Sequence, residues 1–282
     1  MLRSMFSAVS GLRSHQTMMD VTGNNVANVN TTGYKSSRTT FQEALTQLER
    51  GGTAGEEADP PEVGEGAGGQ NPIQMGLGAQ VGATDMVFTQ GASQDTGRAT
   101  DVAIQGDGFF VVDAGGQEAY TRAGAFSIDS AGNLVGPGGE MAMGWNGDAP
   151  DPDNDDPEVL NFDPEAYTDI SIGSDGVVTG RNADEELEDL GQLAMARFPN
   201  TEGLETEGNG LFVESPASGD PIINAPGEDG LGSLQAGTLE MSNVDLAQEF
   251  TNLILSQRGF QANSRTITTS DELLQELVNM KR

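Results

Sequence analysis

The sequence predicts an α+β fold, with helices at the two chain ends forming a discontinuous coiled coil around a central antiparallel β domain. Three observations support this. Apolar residues recur with heptad spacing near both termini. Between about residues 81 and 238 that spacing disappears, and short apolar runs alternate with glycine. The same central region also carries nearly all of the acidic side chains.

Residues 239–282 predict one long helix, from Asp245 to Met280. An apolar row with seven-residue spacing is joined by a second, interleaved row whose ends are apolar and whose middle is polar. No proline interrupts the segment, so a continuous helix of about 54 Å is expected. The predicted packing residues are Leu246, Phe250, Leu253, Phe260, Ile267, Leu274 and Val278.

Residues 1–35 predict a second helix, which is expected to end near Ala27 at an asparagine-rich turn. Its apolar residues follow the same spacing of four and three. The two rows suit a helix pair inside one domain, and they equally suit packing against other copies of the chain. The predicted packing residues of this helix are Leu2, Met5, Val9, Leu12, Met19 and Val26.

The region between the helices divides into two predicted segments. Residues 36–80 are an extended linker, of which residues 51–80 are rich in glycine, glutamate and proline. Residues 36–50 have helical potential around Phe41, Leu45 and Leu48. Residues 81–238 are an acidic β domain. Within it, residues 127–136 repeat the pattern of residues 171–180, and each copy is expected to form a hairpin.

The charge distribution limits the classes of partner. The chain has 282 residues and a net charge of −31, all of which arises between the terminal segments. Such a surface argues against nucleic acid and against anionic membranes. There is no cysteine, which excludes disulfides and thiolate metal sites, and no apolar run is long enough for membrane insertion. We also expect no cleaved leader peptide at the start.

Catalytic signals are weak throughout the sequence. His15 is the only histidine, and no nucleophile elbow or phosphate-binding loop occurs. Residues 64–69 match a dinucleotide fingerprint formally but follow two prolines instead of a strand. Residues 151–156 lack the glycine and distal carboxylate of a calcium loop, so an acidic solvated turn is expected over residues 148–156. We therefore predict no catalytic residue, no metal site, no cofactor and no enzymatic activity.

The stretch from residue 24 to 35 is the most specific motif in the chain, with four asparagines in twelve residues. It resembles the signature of the bacterial flagellar rod and hook family. Residues 71–78, 100–110, 120–126 and 256–272 also resemble blocks of that family. The motif residues are Asn24, Asn25, Ala27, Asn28, Asn30, Gly33, Tyr34 and Lys35.

The resemblance implies a structural role in motility. We expect a hook subunit that assembles with itself into a curved, flexible tube joining the basal-body rod to the filament. The implied partners are other copies, the distal rod, the hook cap, the hook–filament junction proteins and the flagellar type III export apparatus. The implied location is the hook and basal body of the flagellum, outside the cell at its surface.

Two alternatives remain at this point. The chain is short for a hook subunit, which leaves the distal rod, a stiff axial protein of the basal body. The other alternative is an adhesin-like β module with helical stalks. That module would need a cluster of aromatic side chains on its surface, whereas the sequence has one tryptophan, Trp145, and three scattered tyrosines.

Overall fold

The fold is α+β, as the sequence predicts. The computed structural model contains a helix at each end of the chain, α1 (Leu2–Ala27) and α2 (Leu246–Met280). Between them lie 21 β-strands across the described residues. The residues that the structure describes are 2–53, 69–147, 156–163, 166–182 and 184–280.

The helix limits agree closely with those expected. α1 ends at Ala27, and the N–H of Thr31 then donates to the Asn28 carbonyl at 3.1 Å, which closes a turn. Gly33 completes the reversal with a φ of 69°, a conformation that glycine adopts without steric cost. α2 begins at Leu246, one residue after the predicted start, and continues for 35 residues.

The chain divides into two compact units, each assembled from distant parts of the sequence. The helical unit consists of residues 1–24, 37–85 and 247–282, and the β unit consists of residues 25–36 and 86–246. The predicted division at residues 35, 80 and 238 differs from this arrangement. The segment predicted as a separate linker belongs to the same unit as both helices.

Strands occupy residues where the sequence predicts a helix and a linker. β1 (Ser37–Glu43) pairs with β4 (Ala79–Met86), and β2 (Thr46–Arg50) pairs antiparallel with β3 (Ile73–Gly76). The helical potential around Phe41, Leu45 and Leu48 is therefore not realised. Local apolar spacing suggested a helix, but strands far along the chain supply the backbone partners. The linker prediction is likewise wrong over residues 73–80, and residues 54–68 lie outside the described part.

The β unit contains the remaining strands, which are short and joined by glycine-rich turns. A short 3₁₀ helix (Thr201–Gly203) precedes β17. In chain order these strands are β5 (Ser93–Asp95), β6 (Val102–Gln105), β7 (Phe109–Asp113), β8 (Glu118–Thr121), β9 (Ser127–Ile128), β10 (Leu134–Val135), β11 (Met141–Asn146), β12 (Glu158–Val159), β13 (Thr168–Ile172), β14 (Val177–Arg181), β15 (Leu187–Leu193), β16 (Met195–Arg197), β17 (Glu205–Gly208), β18 (Leu211–Val213), β19 (Ile222–Asn224), β20 (Ser233–Ala236) and β21 (Thr238–Glu240).

One large sheet organises this unit. Its main path runs in the order β13, β14, β15, β11, β7, β8, β18 and β17, and β9, β10, β12, β16 and β19 attach beside it. Two smaller pairs, β6 with β20 and β5 with β21, join the beginning of the unit to its end. The antiparallel β domain that the sequence predicts is therefore present.

β7 lies between two hydrophobic clusters. Phe109 and Val111 belong to one cluster with Trp145, whereas Phe110 belongs to the other and stacks edge-on against Phe126 at 5.2 Å. Successive side chains of a strand point to opposite faces, so a strand covered on both faces shows a continuous apolar run. For this reason the continuous apolar run of β7 indicates a buried strand in the sequence.

The internal repeat corresponds to two hairpins, as predicted. β9 pairs with β10, and β13 pairs with β14. Each turn closes with a backbone hydrogen bond from a glycine, Gly132 to Asp129 at 2.9 Å and Gly176 to Gly173 at 3.2 Å. Both Gly132 and Gly176 have positive φ, so the shared glycine is a requirement of the turn. The acidic turn predicted nearby falls mostly on residues 148–155, outside the described residues, and stays a prediction.

We expect Phe110→Ala to lower the free energy of unfolding of the β unit by about 3–5 kcal/mol, because the truncation leaves a cavity between fixed strands. The matched change Leu187→Ala, at a side chain that is 68% exposed, is expected to cost less than about 0.5 kcal/mol. Urea unfolding followed by the fluorescence of the buried Trp145 measures both. Equal midpoints for the two variants would contradict the assigned core.

Candidate functional site

The asparagine-rich motif forms a turn held by specific contacts within the β unit. Asn25 is buried, and its Oδ1 accepts a hydrogen bond from the Tyr34 hydroxyl at 3.0 Å. The Gly33 N–H donates to the Glu240 carbonyl at 2.8 Å. A Cβ at Gly33 would lie 2.6 Å from the Ala123 nitrogen, so only glycine fits this position.

The other motif residues lie nearer the surface. Asn28 Oδ1 accepts a hydrogen bond from the Thr31 hydroxyl at 3.1 Å and so stabilises the turn after α1. Asn24, Ala27 and Asn30 are exposed. The motif therefore combines residues that fix the turn with residues that face outward.

Lys35, the last motif residue, enters a buried ion cluster. Its Nζ lies 2.7 Å from Glu240 Oε1 and donates to the Thr89 carbonyl at 2.9 Å. The other carboxylate oxygen of Glu240 lies 3.3 Å from the Arg122 guanidinium. The Gly91 N–H also donates to Glu240, at 2.8 Å. One carboxylate thus holds two cations that are almost completely removed from water. We call these three side chains the Lys35 cluster.

The cluster depends on Glu240 for its charge balance. Burial lowers the pKa of Lys35, and the hydrogen bond and attraction from Glu240 oppose that effect. Burial likewise lowers the pKa of Arg122, again opposed by Glu240. Arg122 also lies over the ring of Phe109 at 5.3 Å, a favourable cation–π distance. Removing the carboxylate would leave two cations without their counter-charge.

Close to the Lys35 cluster, Asn243 joins three chain segments through hydrogen bonds. Its Oδ1 accepts the Ser36 N–H at 2.8 Å, and its amide nitrogen donates to the carbonyls of Val87 (2.7 Å) and Thr89 (3.2 Å). The Val87 N–H in turn donates to the Ser36 carbonyl at 2.8 Å. Residues 33–36, 87–91 and 240–243 are therefore fixed together at the point where the chain enters and leaves the β unit.

Sequence reasoning missed the partners of Lys35. Glu240, Arg122 and Asn243 lie far from it along the chain, and no local pattern joins them. Glu240 and Asn243 lie in the short segment just before α2. Arg122 lies within residues 120–126, a block that resembles the family. That resemblance did not indicate what the Arg122 side chain does.

The inner face of α2 combines half-buried apolar residues with buried small ones. Leu253, Phe260, Ile267 and Leu274 are half-buried and form one row. Beside that row, Ser256 is fully buried and Ser270 nearly so. Phe250 and Val278 of the predicted second row are exposed in the single chain, as is Leu246 at the start of the helix, so their packing against other copies stays a prediction. The apolar spacing predicted which large side chains are half-buried. The buried small residues mark the side of the helix that packs closely.

α1 shows the same effect. Met5, Leu12, Met19 and Val26 are half-buried, while Ala8, Ser14 and Thr22 are buried, as is Asn25 of the motif. Val9 is exposed in the single chain, so its packing against other copies stays a prediction. The side chain of Leu2 lies outside the described residues.

Within the helical unit, the two helices contact each other at Gly11 of α1 and at Gly259 of α2. We call this contact the glycine seam. A Cβ at Gly11 would lie 2.6 Å from the Asn263 side-chain nitrogen, and a Cβ at Gly259 would collide with the ring of His15. Moving one turn forward in α1 corresponds to moving one turn backward in α2, so the helices run antiparallel. His15, centred 6.3 Å from Phe41, fills space in this seam.

The described residues contain no cluster of three or more histidine or acidic side chains able to hold a metal ion. Neither helix of the described part is apolar enough over its length to cross a membrane. The candidate functional features are therefore the Lys35 cluster, the glycine seam and the surface of the helices.

Three family models match the chain. A model described as flagella basal body rod protein matches residues 5–35, and a flagellar hook protein FlgE/F/G D1 domain matches residues 103–180. A model described as flagellar basal body rod FlgEFG protein C-terminal matches residues 235–280.

Curated relatives match the full length. The flagellar basal-body rod protein FlgG of Bacillus subtilis is 46% identical over 283 residues, covering all of both chains. The chain belongs to the flagellar basal-body rod and hook protein family. FlgG of Borreliella burgdorferi is 37% identical over 285 residues, and the flagellar hook protein FlgE of that organism is 30% identical over 449 residues; both alignments cover all of both chains. A crystal structure of the Helicobacter pylori flagellar hook protein FlgE2 matches 61% of this chain and 47% of that one, at 17% identity and a TM-score of 0.23.

Each family-matched segment supplies one member of the Lys35 cluster. Lys35 ends the first segment, Arg122 lies in the second and Glu240 lies in the third. In this member of the rod and hook family, the three segments that define the family therefore meet at one buried carboxylate.

We expect Glu240→Gln to lower the free energy of unfolding of the β unit by about 3–5 kcal/mol, because it leaves two buried cations uncompensated. Glu205→Gln, the same change at an exposed position of β17, is the matched control and should cost less than about 1 kcal/mol. Urea unfolding followed by Trp145 fluorescence compares them. Similar losses in both variants would show that the cluster does not hold the segments together.

Replacing two helical glycines with alanine should change stability in opposite directions, because only Gly259 lies in the glycine seam. Gly259→Ala should destabilise the helical unit by about 1–3 kcal/mol, because its methyl group overlaps His15. Gly23→Ala, where the added methyl meets nothing, should stabilise α1 by about 0.5–1 kcal/mol. Thermal melting followed by the helical circular dichroism signal measures both.

Adding His15→Ala to the Gly259→Ala variant should recover most of the loss, since the overlapping ring is gone. A stabilising effect of Gly259→Ala alone, or no recovery in the double variant, would refute close packing at this crossing.

Proposed function

We propose that this chain is an axial subunit of the flagellar basal-body rod that polymerises through its terminal helices. The observation that carries the proposal is the uneven distribution of exposed apolar side chains. Of the 18 large hydrophobic side chains that are exposed among the described residues, all but Leu187, Ile222 and Leu246 lie in the helical unit. Such a concentration of apolar surface is typical of an interaction site.

The exposed side chains form stripes on the helices. Phe250 and Ile254 are one turn apart on α2, as are Leu273 and Leu277 nearer its end. On α1, Phe6 is 70% exposed and borders an open, mainly apolar groove formed with residues 79–81 of β4. The inner helix faces are already used in the glycine seam, so these outer stripes remain for neighbouring copies.

The charge pattern supports the same arrangement. The terminal segments are nearly neutral, which permits close packing of many copies. The acidic middle carries the net charge of −31 and would remain in contact with water at the outside of a polymer. Mutual repulsion between β units then opposes association through any surface other than the helices.

The rod is favoured over the hook that the sequence first suggested. Relatives named FlgG align with this chain over 283 and 285 positions, close to its own length, at up to 46% identity. Hook proteins named FlgE align over 449 and 472 positions at 30% identity, so they carry sequence that has no counterpart here. We therefore favour the distal rod and keep the hook as the second candidate.

The adhesin-like alternative lacks the surface it would require. Trp145 is buried in a core cluster, Tyr120 is buried, and Tyr34 and Tyr167 are half-buried. No exposed cluster of tryptophan and tyrosine occurs in the part of the chain that the structure describes. A purely mechanical role without enzymatic activity is the corresponding proposal.

The proposed partners follow from this role. The chain would be exported by the flagellar type III apparatus and would contact other copies and the adjoining axial proteins of the rod and hook. The hook cap and hook–filament junction proteins become partners only under the hook alternative. Labelling an epitope-tagged chain in isolated hook–basal bodies by electron microscopy separates the candidates, since the label falls on the straight rod or on the curved hook.

We expect Ile254→Asp to abolish incorporation into basal bodies, because it places a charge within an apolar contact between copies. The side chain is 52% exposed in the single chain, so the helical circular dichroism of the dilute protein should be unchanged. Leu187→Asp alters a still more exposed side chain in the β unit and should incorporate normally. Immunoblots of isolated basal bodies measure both, and equal incorporation of the two variants would contradict the helix-mediated polymer.

A further inference from the structure

A pocket in the β unit is formed where three turns of the large sheet converge. The turn between β7 and β8 contributes Ala114 and Gly115, the turn before β11 contributes residues 138–140, and the hairpin of β17 and β18 contributes residues 207–209 and Leu211. The space is about 360 Å³ and opens to solvent. Neither the Lys35 cluster nor the helix surfaces involve this pocket.

Glu140 lies in the wall of this pocket and is only 5% exposed. Its two carboxylate oxygens lie against the backbone at Gly136 and Gly138, where any added Cβ would overlap them. These glycines therefore leave room for the carboxyl group. Glutamate is almost never buried to this extent unless it is paired.

No counter-charge or hydrogen-bond donor engages the Glu140 side chain within the described part of the chain. All four ion pairs found there involve other residues. A carboxylate that is removed from most of its water without a partner is a net cost to the fold. The rest of the pocket adds negative character, because Glu207 is a second acidic side chain in its lining.

The composition of the pocket indicates the kind of group that would satisfy Glu140. Gly115, Gly138, Gly139 and Gly208 line the pocket without side chains, so they leave room for a ligand beside the two carboxyl groups. Carboxylates accept hydrogen bonds from a guanidinium or ammonium group. A metal ion is less suited, since the described residues nowhere bring three histidine or acidic side chains together.

We propose that this pocket binds a guanidinium or primary ammonium group, with the Glu140 carboxylate as its charge partner. Two sources share this chemistry, an arginine or lysine side chain of a neighbouring protein chain and a free small cation. The pocket opens to solvent and Glu140 is part of its lining, so a cationic side chain can enter it from outside. Binding would complete the hydrogen bonding of a group that the isolated chain leaves bare.

The first test titrates the full-length dilute protein with N-acetyl-arginine methylamide, and with the neutral citrulline analogue as the control ligand. Amide NMR signals of Gly138, Gly139 and Gly208 should shift saturably with the arginine probe only. Glu140→Gln should weaken binding by about tenfold or more, since it removes a charge-assisted hydrogen bond. Glu207→Gln should weaken it less, and Glu205→Gln, outside the pocket, should not change it.

A second readout separates a binding role from a structural one. If the buried carboxylate has no partner in the free chain, Glu140→Gln should raise the thermal midpoint while it weakens binding. A lower midpoint in Glu140→Gln, absence of saturable shifts with the arginine probe, or equal binding by the wild type and Glu140→Gln would each overturn the proposal.

An assembly experiment distinguishes the two sources of the cation. If it is a side chain of a neighbouring chain, Glu140→Gln should reduce incorporation into isolated basal bodies, whereas a free cation predicts normal incorporation. The titration does not rest on the proposed rod function, because it uses the unassembled protein. Its result therefore stands whether or not the Ile254→Asp experiment supports helix-mediated polymerisation.

Discussion

The buried carboxylate of Glu240 is the interaction on which the β unit depends. It holds Lys35 and Arg122 away from water and accepts a backbone hydrogen bond from Gly91. Ion pairs of this kind add little net stability compared with a well-packed apolar group, but they tolerate no missing member. The cluster therefore acts through specificity, since it allows only one arrangement of the three segments that meet there.

The same requirement bears on the asparagine-rich motif and the segments that it meets. The segments before α2 and after α1 are short, and directional contacts from Lys35, Asn243 and Gly33 fix them to their neighbours. Directional contacts need particular residue types, whereas a hydrophobic core accepts many combinations of similar volume. A recognisable sequence motif is the expected consequence.

The helical unit follows a different physical principle. Its helices contact each other where Gly11 meets Asn263 and where Gly259 meets His15, and much of their apolar surface remains exposed. A helix in water gains most of its stability from packing of an apolar face. Small residues allow close approach but bury little area. In the proposed polymer, other copies would cover the outer stripes, so the same surface would contribute to both stability and assembly.

The sequence by itself determined the two terminal helices, their limits, the presence of short β-strands between them and the hairpin repeat. These features are encoded locally, in apolar spacing and in glycine at turns. It also located one inner row of α2, through Leu253, Phe260, Ile267 and Leu274. Ser256 and Ser270, which are buried beside that row, carry no hydrophobic signal and were not predicted.

Only the tertiary structure decided the rest. β1 and β2 occupy a segment with helical spacing because β4 and β3 pair with them from far along the chain. The sequence marked Lys35 as a motif residue, but its role became clear only when Glu240, more than 200 residues away, was placed beside it. Glu140 likewise became distinctive only when three separate turns enclosed it. The physical reason is common to all three, since burial and charge pairing are properties of neighbours in space, and the order of residues in the chain does not specify those neighbours.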